Sequence, residues 1–330
     1  MRLVEAALPF FARHETFHPR YGWFRKAYAQ VAQDPRAFLG NDAPVRIGVG
    51  KNMVRAIRFW GLAAKLIEED PNSPNRRAPD LRTTGLGDLL FGKGGWDEYM
   101  EDPGTLWLLH WLLLAPPCHL PVWWIAFNAF HAVEFSDDQL ESAVETQLDL
   151  VSDWRKPHPS SRKKDVGALL RTYAPQEKTK RVPIDDLLDC PLRELDLIGR
   201  GPDPGRYRFA LGAKPALPSE ILAYAVLDYI ERTDTSGSTV TLDRLTTEPG
   251  APGRAFMLNE SEMLAGLAPT VNRVTGLDLI SVTGGIQLAW SADRRVLATR
   301  ILNQYYGVSA PGERTSTTTA QLPLSGVRGS

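Results

Sequence analysis

The sequence predicts a mainly α-helical protein with short β-hairpins, and three observations predict it. Apolar residues recur at helical spacing in several long segments, strand-like pieces are short and bounded by glycine, and the order helix, turn, helix, hairpin occurs near both ends. The expected organisation is an N-terminal winged helix-turn-helix over 1–104, a helical middle domain over 105–238, a C-terminal winged-helix-like unit over 239–308, and a flexible tail over 309–330. The 330 residues suffice for two or three domains. With 43% hydrophobic and 23% charged residues, the composition is that of a globular chain and excludes general disorder.

Ala27–Leu39 is expected to be a short helix limited by Pro35. The clearest periodic segment follows, from Gly48 to Asp70. At about 100° per residue, Met53, Ile57, Trp60, Ala64 and Ile67 share one helical face, and Lys51, Arg55, Arg58 and Lys65 share the opposite one. A polar loop with Arg76 and Arg77 comes next, and then LRTTGLGDLLFGKGG, expected as two extended pieces joined by glycine-rich turns, with Lys93 on this wing. Together these elements form a winged helix-turn-helix.

Pro103–Val133 contains no Asp, Glu, Lys or Arg. Prolines 116, 117 and 121 break it, and its first helical run would reach only ~16 Å, short of the ~20 apolar residues of a membrane span. A buried helical hairpin is therefore expected, and no membrane association. A helix capped by Ser136 follows, then a basic loop, WRKPHPSSRKKD, and a short helix at Val166–Tyr173. SEILAYAVLDYIE is a helix with Ser219 as its cap. ESEMLAGLAPTVNRVTG is a helix kinked by Pro269, LDLISVTGGIQLAW a hairpin turning at Gly284-Gly285, and Arg294–Tyr306 a closing helix.

The net charge of −1 conceals an uneven distribution. Residues 1–66 hold eleven Lys and Arg against four acids, 67–110 hold four against nine, and 155–181 hold nine against two. Two basic blocks separated by acidic surface suit a protein that meets a polyanion on chosen faces. Cys118 and Cys190 form neither a disulfide framework nor a zinc knuckle, and no apolar leader precedes the first charges; a reducing, cytoplasmic location is expected.

Lys51, Asn52 and Arg55 are placed to reach phosphates or base edges, with Arg58 one turn on. The bland alternative is an amphipathic helix with a solvated basic face. GVGKN is no phosphate loop, because the Walker spacing needs glycine at Val45 and Ser or Thr at Asn52. His14, Glu15 and His18 match HExxH, yet Pro19 pushes His18 out of helical geometry and no third ligand follows at a suitable spacing. His14 and Glu15 are thus candidates for acid–base work, or for satisfying buried polar groups in a structural turn. Arg20, Arg25 and Lys26, interleaved with aromatics, fit backbone neutralisation and base stacking as well as plain packing. Asp97 and Glu101 would share a helical face and hold Mg²⁺ or Mn²⁺, unless WDEYMED is simply an acidic helix start. The cluster of His131, Glu134, Asp137 and Asp138 is a weaker site of the same kind. Arg162, Lys163 and Lys164 would extend a DNA path on an exposed loop.

HETFHPRYGWFRKAY, LGDLLFGKGGWDEYMEDPGTLWLLHWLLL and DCPLRELDLI resemble the SspB family of bacterial DNA phosphorothioation gene clusters, which is unrelated to the protease adaptor of the same name. The likeness extends over most of residues 8–306. It implies a DNA-nicking endonuclease role in modification and phage defence, alongside a cysteine desulfurase, an ATP-dependent sulfur-transfer enzyme and an ATPase. No catalytic residue carries over from it, and the sequence has no PD-(D/E)xK, HxK or HNH arrangement. The expectation is a DNA-binding nickase using Mg²⁺ or Mn²⁺. The rivals are a non-catalytic DNA-binding regulator that recruits the modifying enzymes, and a scaffold for acidic partner proteins. A homodimer would suit a winged-helix protein reading a symmetric site, although no residue pattern marks its interface.

Overall fold

The computed structural model describes residues 1–175, 190–233 and 237–307. The chain is mainly helical with three small antiparallel sheets, as expected. After a single turn, α1 (Leu3–Ala6), comes α2 (Trp23–Gln33), which buries Phe24, Ala27, Tyr28 and Val31 at helical spacing. It starts four residues earlier than expected because Gly22, with φ 78°, supplies the left-handed entry, and it stops before Pro35. After α3 (Ala43–Ile47), α4 (Lys51–Ala63) packs across α2.

The helix expected over 48–70 is shorter than its periodicity suggested. Lys65 adopts a left-handed φ of 58°, and Ile67–Glu69 becomes β1, paired antiparallel with β2 (Leu81–Thr83) in the register Ile67↔Thr83. Ile67 is therefore buried from a strand, and Lys65 does not share the basic face.

The expected second extended piece of the wing is a helix, α5 (Gly85–Phe91). The Thr84 hydroxyl caps it by accepting from Gly87 N at 3.0 Å. Gly87 serves close packing and not a turn: a Cβ there would lie 2.3 Å from the Leu66 carbonyl oxygen.

The apolar stretch forms the expected hairpin of α6 (Pro103–Leu114) and α7 (Pro121–Asn128), both buried almost throughout. Within it His110 uses both ring nitrogens. Nε2–H donates to Ala255 O and Nδ1 accepts from the Tyr173 hydroxyl, each at 2.8 Å, because the carbonyl can only accept. Ser136 and Gln139 form a capping box on α8 (Asp137–Asp149).

The second half of the supposed basic loop, from Pro159 on, belongs to α9 (Pro159–Tyr173), started by Pro159 at its first turn and capped by His158. Three short strands, β3 (Glu134–Ser136), β4 (Ile198–Arg200) and β5 (Arg206–Phe209), make the second sheet in the order β3-β5-β4.

Helix α10 (Ser219–Arg232) has Pro218 and not Ser219 at its cap position. The remainder comprises β6 (Thr239–Thr241), α11 (Leu242–Thr247), α12 (Pro252–Phe256), α13 (Glu260–Val271), β7 (Leu277–Val282), β8 (Gly285–Trp290) and α14 (Arg294–Tyr305). The expected hairpin is β7–β8, with β6 on the other edge of β8. Both α13 and α14 pack on α10, across the sequence boundary drawn at 238, and the buried apolar residues form one continuous core. At the far end, Trp96 stacks on Tyr306 (5.3 Å between rings, 6°) and donates to Asn303, while the Tyr305 hydroxyl donates to Asp102. The expected tail at 309–330 lies outside the described residues.

Candidate nucleic-acid interface

The segment 8–18 has no regular structure, and it is pinned on three sides. Leu8 N donates to Cys118 O at 2.9 Å. Ala12 N and His14 Nε2 both donate to Asp165 Oδ1 of α9, at 2.9 and 2.6 Å, and Arg171 donates to Thr16 O. Trp60 of α4 donates its indole N–H to Phe17 O. Ala12, Glu15 and Thr16 take left-handed φ values of 54°, 51° and 69°, which non-glycine residues adopt only where surrounding contacts dictate it.

His14 is 1% exposed, stacked on Trp60 and edge-on to Phe59 and Trp123. It is a buried clasp that fixes the turn, and it cannot touch a substrate. This corrects the expectation of His14 as an acid–base residue. HExxH is likewise no metal site. His18 is buried beside Arg193, Arg171 and Arg20, and its pKa is pushed down to about 3, first by burial and then by those cations.

Beside this segment lies a cleft of about 930 Å³ between residues 8–15, α4, β1 and the turn after α6. Packing buries most of α4, including Val54, Ala56, Ile57, Phe59 and Trp60, and leaves Lys51, Asn52 and Arg55 exposed on one side. Arg55 and Arg58 reach the cleft wall, where Arg55 pairs with Glu15 at 3.4 Å and Arg58 with Glu69 at 2.9 Å. Such partly exposed pairs are worth about 0–1 kcal/mol each, so a phosphate can exchange for either carboxylate at little cost.

Arg13 also lines the cleft and has no ion-pair partner among the described residues. Lys65, at the end of α4, donates Nζ–H to the carbonyls of Leu112 and Ala63. Burial, followed by the neighbouring Arg232, pulls its pKa down to about 7. His119 packs on Phe10 (5.4 Å between rings), and burial with the nearby Lys65 pulls its pKa down to about 4.

The other expected residues divide. Lys93, Lys163 and Lys164 are exposed. Arg162 is buried and held by Glu141 and Glu145 at 2.8 and 2.7 Å, so the expected DNA contact there is corrected to a structural ion-pair hub between α8 and α9. Arg20 lies over the rings of Phe17 and Trp23. Arg25 lies over Tyr99 and donates to Glu98 O, and Lys26 donates to Ile47 O, so these three knit the N-terminal third together.

Asp97 and Glu101 do not share a helical face. They sit on a turn, and the Asp97 carboxylate already accepts from Glu101 N, Asp102 N and the Thr105 hydroxyl. Nor do the described residues hold any group of three or more His, Cys, Asp or Glu suited to a metal ion. The sequence reading missed Arg13, Glu69 and His119, and it put Lys65 on the wrong face. Only the tertiary meeting of residues 8–15, α4 and the turn after α6 brings these residues together.

Fold and site define a mainly helical protein with a cation-bearing cleft beside a partly exposed basic helix. The chain belongs to the family described as protein of unknown function DUF4007, whose model matches residues 11–306. It is similar to a solved structure of SspB, 38% identical, with a TM-score of 0.85 and coverage of 94% of this chain and 93% of that one. A magnesium ion-bound SspB structure is likewise 38% identical, with a TM-score of 0.86 and coverage of 95% and 93%. The resemblance noted in the sequence is thereby borne out. None of the curated proteins matches the chain. No described helix is long and apolar enough to cross a membrane.

Proposed function

We propose that this protein docks on duplex DNA through the exposed side of α4 and the adjoining cleft. There, as a cytoplasmic component of a phosphorothioation and phage-defence system, it opens one strand by phosphodiester hydrolysis. One observation carries the reading: the side of α4 that packing leaves open bears Lys51, Asn52 and Arg55, and it runs into a cleft that adds Arg13 and Arg58. The element order α2, α3, α4 and then the paired β1 and β2 supports reading this part as a helix-turn-helix with a wing at 67–83. Sulfur insertion would follow at the opened strand, through a cysteine desulfurase, an ATP-dependent sulfur-transfer enzyme and an ATPase.

In this reading Arg13, Arg55 and Arg58 hold the phosphates and offset the charge that builds on the pentacoordinate phosphorus. Glu15, aimed by the His14–Asp165 clasp, is placed to take a proton from the attacking water; His14 is a positioning residue. A divalent ion, Mg²⁺ or Mn²⁺, would supply Lewis acidity at the phosphate. The related structure with bound magnesium supports including it. The oxygen donors lining the cleft are Glu15, Glu68 and Glu69, the hard ligands such ions take one or two at a time together with substrate phosphate.

A second reading is favoured by the burial of His14: a non-catalytic DNA-binding subunit that recruits the modifying enzymes. Supercoiled plasmid incubated with the protein and Mg²⁺ or Mn²⁺ separates the two. Conversion to open circles by the parent, abolished by Glu15→Gln, supports the nickase. Binding without scission supports the recruiter. The double reversal Arg55→Glu, Arg58→Glu is expected to flatten the salt dependence of binding by roughly 2 in log–log slope, about 0.9 per lost phosphate contact. Unchanged slope and affinity would remove α4 from the interface, and no binding at low salt would leave only a protein scaffold.

A further inference from the structure

The cleft is far larger than a phosphate alone needs. Its volume of about 930 Å³ lies at the upper end of small-ligand pockets, which run to roughly 1,000 Å³. Its apolar lining includes Leu62, Leu86 and Leu112 together with the packed rings of Phe10 and His119. Its charged groups are of both signs, Arg13, Arg55, Arg58 and Lys65 against Glu15, Glu68 and Glu69. Arg13 stands without an ion-pair partner among the described residues, while Arg55 and Arg58 hold exchangeable carboxylates. Lys65 spends two of its N–H bonds on backbone carbonyls.

His119 is the most informative group. A carbonyl can only accept, so the 3.3 Å contact to Pro117 O assigns the proton to Nδ1 and leaves Nε2 as a lone-pair acceptor. Burial keeps the ring in this uncharged form at neutral pH. Backbone strain gathers at the same place. Of the seven non-glycine residues with left-handed φ among those described, four (Ala12, Glu15, Thr16 and Lys65) line or adjoin the cleft. Strain of this kind persists where surrounding contacts fix a functional shape.

We propose that the cleft receives a single nucleotide turned out of the duplex, with its base against Phe10, Leu62 and His119 and its flanking phosphates at Arg13 and the α4 arginines. An aromatic and aliphatic slot beside acceptors, the His119 Nε2 lone pair and the carboxylates of Glu15, Glu68 and Glu69, suits a nucleobase bearing an exocyclic amine, and the cleft's arginines suit the backbone that must follow it. The proposal rests on the DNA-docking reading above, and it explains why the basic helix adjoins a pocket and not an open groove. An extruded nucleotide also leaves its backbone unstacked and reachable.

The test compares duplexes of one sequence, either fully paired or carrying one unpaired 2-aminopurine bulge, binding to the full chain. The bulge removes the cost of unpairing, so it is expected to bind about tenfold more tightly, with a change in 2-aminopurine emission at saturation. Phe10→Ala is expected to collapse the affinity ratio between the two duplexes. Leu62→Trp, which fills the slot from a half-buried position, should do the same, and a thermal melt identifies either variant that fails to fold. Equal affinity for both duplexes with unaltered emission overturns the nucleotide pocket and leaves DNA docking intact. No affinity for either duplex overturns docking itself. In that case, binding of 2-aminopurine deoxyribonucleoside monophosphate that Leu62→Trp abolishes would assign the pocket to free nucleotides.

Discussion

The Asp165→Ala substitution tests whether the segment carrying Glu15 and Arg13 is built from beneath. Asp165 is 2% exposed, and its Oδ1 accepts from both Ala12 N and His14 Nε2. Leaving a buried donor without its acceptor costs about 1–3 kcal/mol, because the orphaned group keeps its desolvation penalty. Here two donors are orphaned, Ala12 N–H and the His14 ring. Truncation also opens a small cavity against α9. A loss of about 4 kcal/mol is therefore expected, a fall in Tm on the order of 10 °C for a chain of this size. Urea denaturation followed by tryptophan fluorescence reports it directly, since His14 stacks on Trp60. Asp165→Asn keeps an acceptor for Ala12 N and should lose less. If Asp165→Ala unfolds within 1 kcal/mol of the parent, roughly the worth of a surface pair, the clasp is not what fixes the turn. His14 would then need another account.

Acid should destabilise the fold through the buried His110. His110 has its pKa pushed down to about 4 by burial, against 6.5 when unfolded, so the unfolded state binds the extra proton between those values. Its contribution is complete above pH 6.5 and is lost as pH falls toward 4, about 2 kcal/mol by pH 5; equal urea midpoints at pH 7.5 and 5 would contradict this. Arg162→Ala should cost about 3 kcal/mol in a thermal melt by leaving Glu141 and Glu145 without their cation. Lys163→Ala and Lys164→Ala, both on the exposed side of α9, should stay within about 0.5 kcal/mol of the parent. Gly87→Ala drives a Cβ to 2.3 Å from a backbone oxygen that cannot rotate away, and a loss of about 1–3 kcal/mol in urea is expected.

Local signals in the sequence located elements well and assembled the site poorly. The Pro103–Val133 hairpin, the Ser136 cap and the 277–290 hairpin follow from short-range chemistry and occur where that chemistry places them. The segment 84–95 misled because its glycines resemble turn residues, whereas Thr84 caps a helix and Gly87 lets that helix approach Leu66. Charge runs misled in the same way. Arg162 looks like surface beside Lys163 and Lys164, but one step along a helix rotates it inward onto two glutamates. Asp97 and Glu101 look like one helical face, but they sit on a turn. The cleft was illegible because its walls come from residues 8–15, 55–69, 84–86 and 112–119, and no periodicity links them.

The stacking of Trp96 beneath Tyr306 sets a timetable for biosynthesis. The indole and its amide acceptor Asn303 are 207 residues apart, so the ribosome finishes the first partner about 10–40 s before the second. For that interval the Trp96 indole lacks both the ring that stacks on it and the amide that accepts its N–H in the finished fold.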